Sequence, residues 1–117
     1  MKYLVLTLAL LFSFNAYSLD FSIWEQLHNS QNEYDQIISV EFLNDEARAI
    51  SLSNQALNSL GMEPLYCMPE DMYESQIEWH NLIFNIRDEY NDLLVGVEVN
   101  DTIHVILYYL LDRFPCN

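Results

Sequence analysis

Two cysteines, three histidines and eighteen acidic residues are the side chains of this 117-residue chain that could do chemistry. Cys67, in LYCMPEDM, and Cys116, in LLDRFPCN, are its two thiols. If Cys67 were free, His80 or His104 could pair with it, because a neighbouring imidazole helps convert a thiol into a nucleophilic thiolate. In an oxidising compartment the same two cysteines form a disulfide instead. Glu25-x-x-His28 and Asp101-x-x-His104 have the i, i+3 spacing that sets two metal ligands on one helix face. Di-iron bundles add a glutamate from each of two further helices. Here Asp101 suits a helix cap, and His104 sits beside an apolar stripe. The chain has no glycine-rich phosphate loop, no Gly-x-Ser-x-Gly, no His-Glu-x-x-His and no calcium loop. The expectation is a protein without catalytic residues, metal ligands or a cofactor.

The first eighteen residues bear on the fate of the thiols. MKYLVLTLALLFSFNAYS carries one cation, Lys2, and then an apolar or hydroxyl run from Tyr3 to Phe14. Ala16 and Ser18 stand at the −3 and −1 positions of a cut after Ser18. This is the pattern of a cleaved secretory signal, and the run is shorter than the roughly 20 residues of a membrane span. Residues 1–18 are thus expected to be removed, leaving 19–117 as one small periplasmic domain without a membrane anchor. Export favours the Cys67–Cys116 bond, which would tie down a chain end that otherwise frays.

All eighteen acids lie beyond residue 18, against only Arg48, Arg87 and Arg113, a formal charge of −15. Phosphate recognition needs cationic side chains, so nucleic acid and anionic membranes are excluded as expected partners. A basic protein partner would be drawn in.

The elements that must position these residues read as helices. Two glycines and three prolines are too few for the turns of an all-β sandwich. Ile103, Ile106, Leu107, Leu110, Leu111 and Phe114 form one helical stripe, with Asn100 or Asp101 as N-cap and Pro115 as the stop. A second helix is predicted from about Asp71 to Tyr90, with Pro69 ahead of it and Glu70, Asp71 and Glu74 near its positive end. A longer helical stretch, Glu33 to Leu60, keeps Tyr34, Ile37, Ile38, Ile50, Ser53, Leu57 and Leu60 in register and stops at Gly61. A short amphipathic piece, DFSIWEQLH, precedes it. Asn91 to Asn100, NDLLVGVEVN, breaks the pattern and reads as a loop. The predicted fold class is all-α, a small bundle of about four helices pinned by one disulfide. Tyr108 and Tyr109, off the last stripe, and Trp79, off the Ile77 and Phe84 face, are candidate surfaces for another chain.

Cys67-x-Pro69 at the start of the second helix and Phe114-Pro115-Cys116 after the last, behind a signal peptide, resemble the Rap/Tai family of immunity proteins. That resemblance implies a helical domain with the two motif cysteines bonded, a homodimer, and inhibition of a type VI secretion amidase effector by plugging its active-site cleft. FLNDEARAI, Phe42 to Ile50, departs from the glycine-containing stretch the resemblance leads one to expect. On physical grounds the inserted element is expected between Glu89 and Asp101. There Leu93, Leu94, Val95 and Val97 make an apolar tip, and Glu89, Asp92 and Glu98 would face a basic rim on the effector. The alternatives are a periplasmic acid-stress chaperone, which three arginines and three histidines would poorly keep charged in acid, and a non-catalytic envelope binding protein.

Overall fold

The structure, a computed structural model, describes residues 19–73, 76–93 and 101–116. The expected signal segment lies outside the described residues. Among those described, four α-helices and no strand occur: α1 Phe21–His28, α2 Glu33–Ser59, α3 Trp79–Leu93 and α4 Thr102–Arg113. The fold is all-α and is pinned by one disulfide between Cys67 and Cys116. None of these helices is long and apolar enough to cross a membrane.

Local chemistry sets the helix ends. The Asp20 side chain accepts from the Ser22 N–H at the start of α1, and Asn32 does the same for Tyr34 at the start of α2. Each satisfies a donor that has no partner within the helix. Glu33 and Asp35 place negative charge at the positive end of α2. At its other end the Met62 N–H reaches Leu57 O and the Gly61 N–H reaches Asn58 O. This pair of bonds requires a left-handed residue, which Gly61 supplies at φ 74°.

α2 is the spine. Its 27 residues span about 40 Å at 1.5 Å per residue. Ser39, Leu43, Glu46, Ala47, Ile50 and Leu57 recur at helical spacing and are buried. α1 runs antiparallel to it: the Trp24 Nε1–H donates to Ser39 O at 2.8 Å, while Leu19 lies at the Glu46 level through Thr102. α3 and α4 pack on each other and both meet α2. Trp24, Leu43, Ile50, Ile83, Val105, Ile106 and Leu110 are fully enclosed in this core. Each large apolar side chain buried there contributes about 1.5–3 kcal/mol of transfer free energy.

Three expectations need correction. The second helix begins at Trp79, not near Asp71, because Met72 and Tyr73 are exposed and have no apolar face to dock. Residues 61–73 and 76–78 instead run irregularly, held by turns such as Met72 N–H to Pro69 O and Gln76 N–H to Tyr73 O. Its end moves as well, since Asn91–Leu93 continue the helix. On α2, Tyr34 and Ile37 share the helical spacing but are 68% and 49% exposed, because the apolar contacts of α1 fall on the face bearing Ser39 and Leu43.

Candidate functional site

The motif residues converge at one end of the bundle. Cys67 and Cys116 are bonded with their Cα atoms 5.0 Å apart, and the Cys67 N–H donates to Phe114 O at 2.8 Å. Asn54 of α2 fixes the approach to Cys67. Its Nδ2 donates to Tyr66 O at 2.8 Å, and its Oδ1 accepts from the Leu65 N–H at 2.6 Å. Tyr66 is buried in the core. The disulfide occupies the thiol that a Cys67 nucleophile would need.

The aromatic faces offered as surfaces for another chain turn inward. Trp79 is 1% exposed and meets Tyr109 edge-on at 5.4 Å, and Tyr109 meets Phe114. Tyr108 is half-buried, and its carbonyl accepts from the Tyr90 hydroxyl at 2.8 Å. Burial first, then the nearby Asp112 and Glu89 charges, pushes the Tyr90 hydroxyl above its ordinary range. Periodicity missed this packing because α3 meets α4 over more than one stripe of each helix.

The expected inserted element is only partly in view. Glu89 lies in α3, exposed, with its carboxylate 3.4 Å from the Arg113 guanidinium of α4. It is therefore a helix residue and not part of a loop. Asp92 and Leu93 are the last backbone positions of α3, while their side chains lie outside what is described. Leu94, Val95, Val97 and Glu98 lie outside the described residues.

The two metal-spaced pairs do different work. Glu25 is 3.9 Å from the Arg87 guanidinium, and His28 stacks on Trp24 at 4.9 Å. Arg87 lies over the Phe21 ring at 4.4 Å, a cation–π contact that closes this aromatic cluster. His104 Nδ1 is 3.7 Å from Asp101 Oδ2 across the first turn of α4, both side chains partly exposed. Among the described residues, no three of His, Cys, Asp and Glu gather as a metal site would require. Asp101 holds the N-cap position of α4, but its side chain makes no cap hydrogen bond.

The structure adds one group, a carboxyl buried inside the bundle. Glu46, on the inner face of α2, is 2% exposed. Its Oε1 is 2.6 Å from the Thr102 hydroxyl at the first turn of α4, and Thr102 also touches Leu19 O through both its N–H and its hydroxyl. The same junction carries an antiparallel bridge between Asp20 and Asp101, so α1, α2 and α4 meet at one buried carboxyl. Burial pushes that carboxyl up to about 8; Thr102 partly offsets the rise and the Asp101 charge adds to it. Glu46 Oε2 has no hydrogen-bond partner among the described residues. Glu46 also lines a cavity of about 250 Å³ with Phe42, Asp45 and Ala49. A signal was present in the sequence: Glu46 falls three residues after Leu43 and four before Ile50, an acid on an apolar stripe.

A shallower groove of about 520 Å³ runs along the outer face of α2, lined by Glu33, Gln36, Ile37, Val40, Glu41 and Asn44. Both concavities on α2 therefore combine carboxylates with apolar side chains.

No protein-family model matches the chain, and no curated protein or solved structure matches it significantly.

Proposed function

We propose that this chain is a periplasmic immunity protein that binds a peptidoglycan-cleaving amidase effector of type VI secretion and occludes its active-site cleft. The observation that carries the reading is the joining of the two motifs at one end of an all-α bundle. Cys67-x-Pro69 and Phe114-Pro115-Cys116 meet through the disulfide and through the Cys67 N–H to Phe114 O bond. A bond of this kind suits an oxidising compartment, as export behind residues 1–18 would provide.

The charge supports a protein partner. With three arginines beyond residue 18 and carboxylates along both concavities of α2, the surface attracts a basic protein and repels phosphate backbones. On this reading the protein acts by binding, as a homodimer, and the segment that follows Glu89, up to Asp101, enters the effector's cleft. The test is inhibition of peptidoglycan cleavage by the oxidised, signal-free protein, using a panel of periplasm-targeted amidases. Stoichiometric loss of cleavage with one of them supports the reading, and cleavage unaffected throughout rejects it.

A further inference from the structure

We infer that the outer groove of α2, from Glu33 to Asn44, docks an amphipathic helix of a partner protein, one whose apolar stripe is flanked by lysine or arginine. The lining, Glu33, Gln36, Ile37, Val40, Glu41 and Asn44, follows the i, i+3, i+4, i+7, i+8 and i+11 spacing of one helix face. That face points away from Ser39, Leu43, Glu46 and Ala47, which α2 buries against its neighbours. Rows of side chains separated by a groove are the surface into which another helix sets its ridge. At 1.5 Å per residue the lining spans about 16 Å, roughly three turns of an occupant.

The middle of the groove is apolar. Ile37 is 49% exposed and Tyr34, one turn before it, is 68% exposed, while half-buried Val40 follows one turn later. Single exposed apolar side chains are ordinary, but contiguous ones framed by polar groups mark a contact surface. Glu33 and Glu41 frame these, about 12 Å apart along the helix.

Charge selects the occupant. Between residues 19 and 47 the chain has no lysine or arginine. Each arginine beyond that stands against another acid: Arg48 by Asp45, Arg87 by Glu25, and Arg113 by Glu89. Among the described residues, Glu33 and Glu41 therefore have no cation within ion-pair distance. A second copy laid symmetrically on this face would set carboxylates against carboxylates, which disfavours it. Phosphate backbones are repelled for the same reason. A helix with cations about two turns apart beside its apolar stripe answers both the shape and the charge. The inference stands apart from the immunity reading, whose expected contact lies beyond Glu89.

The probe is an alanine-based peptide of about 18 residues, long enough to hold a helix in water, with leucines at i, i+4 and i+7 flanked by lysines. One control peptide replaces the lysines with glutamates, and the other replaces the leucines with serines. Titrated into the oxidised protein and followed by amide NMR, the probe should give saturable shifts confined to residues 33–44, and neither control should. Ile37→Ser should weaken binding about tenfold, the loss of one buried apolar side chain. Glu33→Gln combined with Glu41→Gln should weaken it about fivefold at low salt and flatten its salt dependence. All three side chains are exposed, so these variants should keep the wild-type amide spectrum outside the groove. Shifts spread over the whole acidic surface, equal binding of either control, or undiminished binding by the variants would each overturn the inference. A wild-type dimer in sedimentation that Ile37→Ser dissociates would overturn it too, by giving the groove to a second copy. Because peptide binding decides the groove and cleavage decides the immunity reading, either can fail without the other.

Discussion

Replacing Glu46 with glutamine should flatten the alkaline side of this protein's stability curve. In the folded chain the carboxyl titrates near 8, raised from an ordinary 4.5 chiefly by burial. Between those values the folded state keeps a proton that the unfolded state has released. The stability of the folded state is therefore intact below about pH 4.5 and falls as the pH rises through about 8. At about 1.4 kcal/mol per unit, this one group should cost wild type about 3 kcal/mol between pH 6 and pH 9. Such a loss is a large share of the 5–15 kcal/mol typical of a folded domain. Glutamine copies the neutral form and cannot titrate, so Glu46→Gln should escape the loss.

Urea unfolding of the oxidised protein at one-unit steps of pH, wild type beside variant, measures it directly. The remaining acids are common to both proteins, so the difference between the two curves isolates Glu46. Thr102→Val removes a hydrogen bond that favours the ionised form. It should therefore extend the fall in stability to higher pH. Parallel wild-type and Glu46→Gln curves across this range would refute the reasoning.

Three further outcomes follow from the same contacts. Reducing the disulfide, or replacing both cysteines with serine, should cost about 4 kcal/mol, since it frees a loop of 49 residues in the unfolded chain; urea curves with and without reductant would read it. Asn54→Ala removes the hydrogen bonds with the Leu65 N–H and the Tyr66 carbonyl and should cost about 2 kcal/mol, with faster amide exchange at Leu65. Gly61→Ala meets no atoms within 4 Å but must adopt φ 74°, so it should cost about 1 kcal/mol through backbone strain alone, seen as a lower thermal midpoint.

How far residues alone foretell this molecule depends on which force decides each element. The scarcity of glycine and proline is enough for a helical fold, and on the α4 stripe Ile103, Ile106 and Leu110 are buried as their spacing implies, Leu107 and Phe114 are partly buried, and Leu111 is exposed. α2 runs Glu33–Ser59 against an expected Glu33 to Leu60, because Asn32 and Gly61 are local signals that act through a single hydrogen bond or dihedral. The start of α3 misled. Pro69 and the acids after it imitate a helix N-terminus, but only tertiary burial decides, and Ile77 and Trp79 are the first residues of that region to reach the core. Tyr34 and Ile37 misled in the opposite sense, having the period without a neighbour to cover them.

The candidate site divides in the same way. The disulfide was legible from an even pair of cysteines. The Glu46 carboxyl was not, because its burial arises from Thr102 and Leu19, 56 and 27 residues away, which no window along α2 contains. An acid between Leu43 and Ile50 is visible in the sequence, but only the packing of α4 distinguishes a buried carboxyl from one that snorkels to water.

The most direct test of the account is a cleavage assay. The oxidised protein without residues 1–18 is mixed at increasing ratios with each of a panel of type VI amidase effectors, and released peptidoglycan fragments are counted. Cleavage by a cognate effector should fall to background at a fixed stoichiometry, with the two proteins co-eluting as one complex. Full cleavage by every effector at excess protein, with no co-elution, would contradict it.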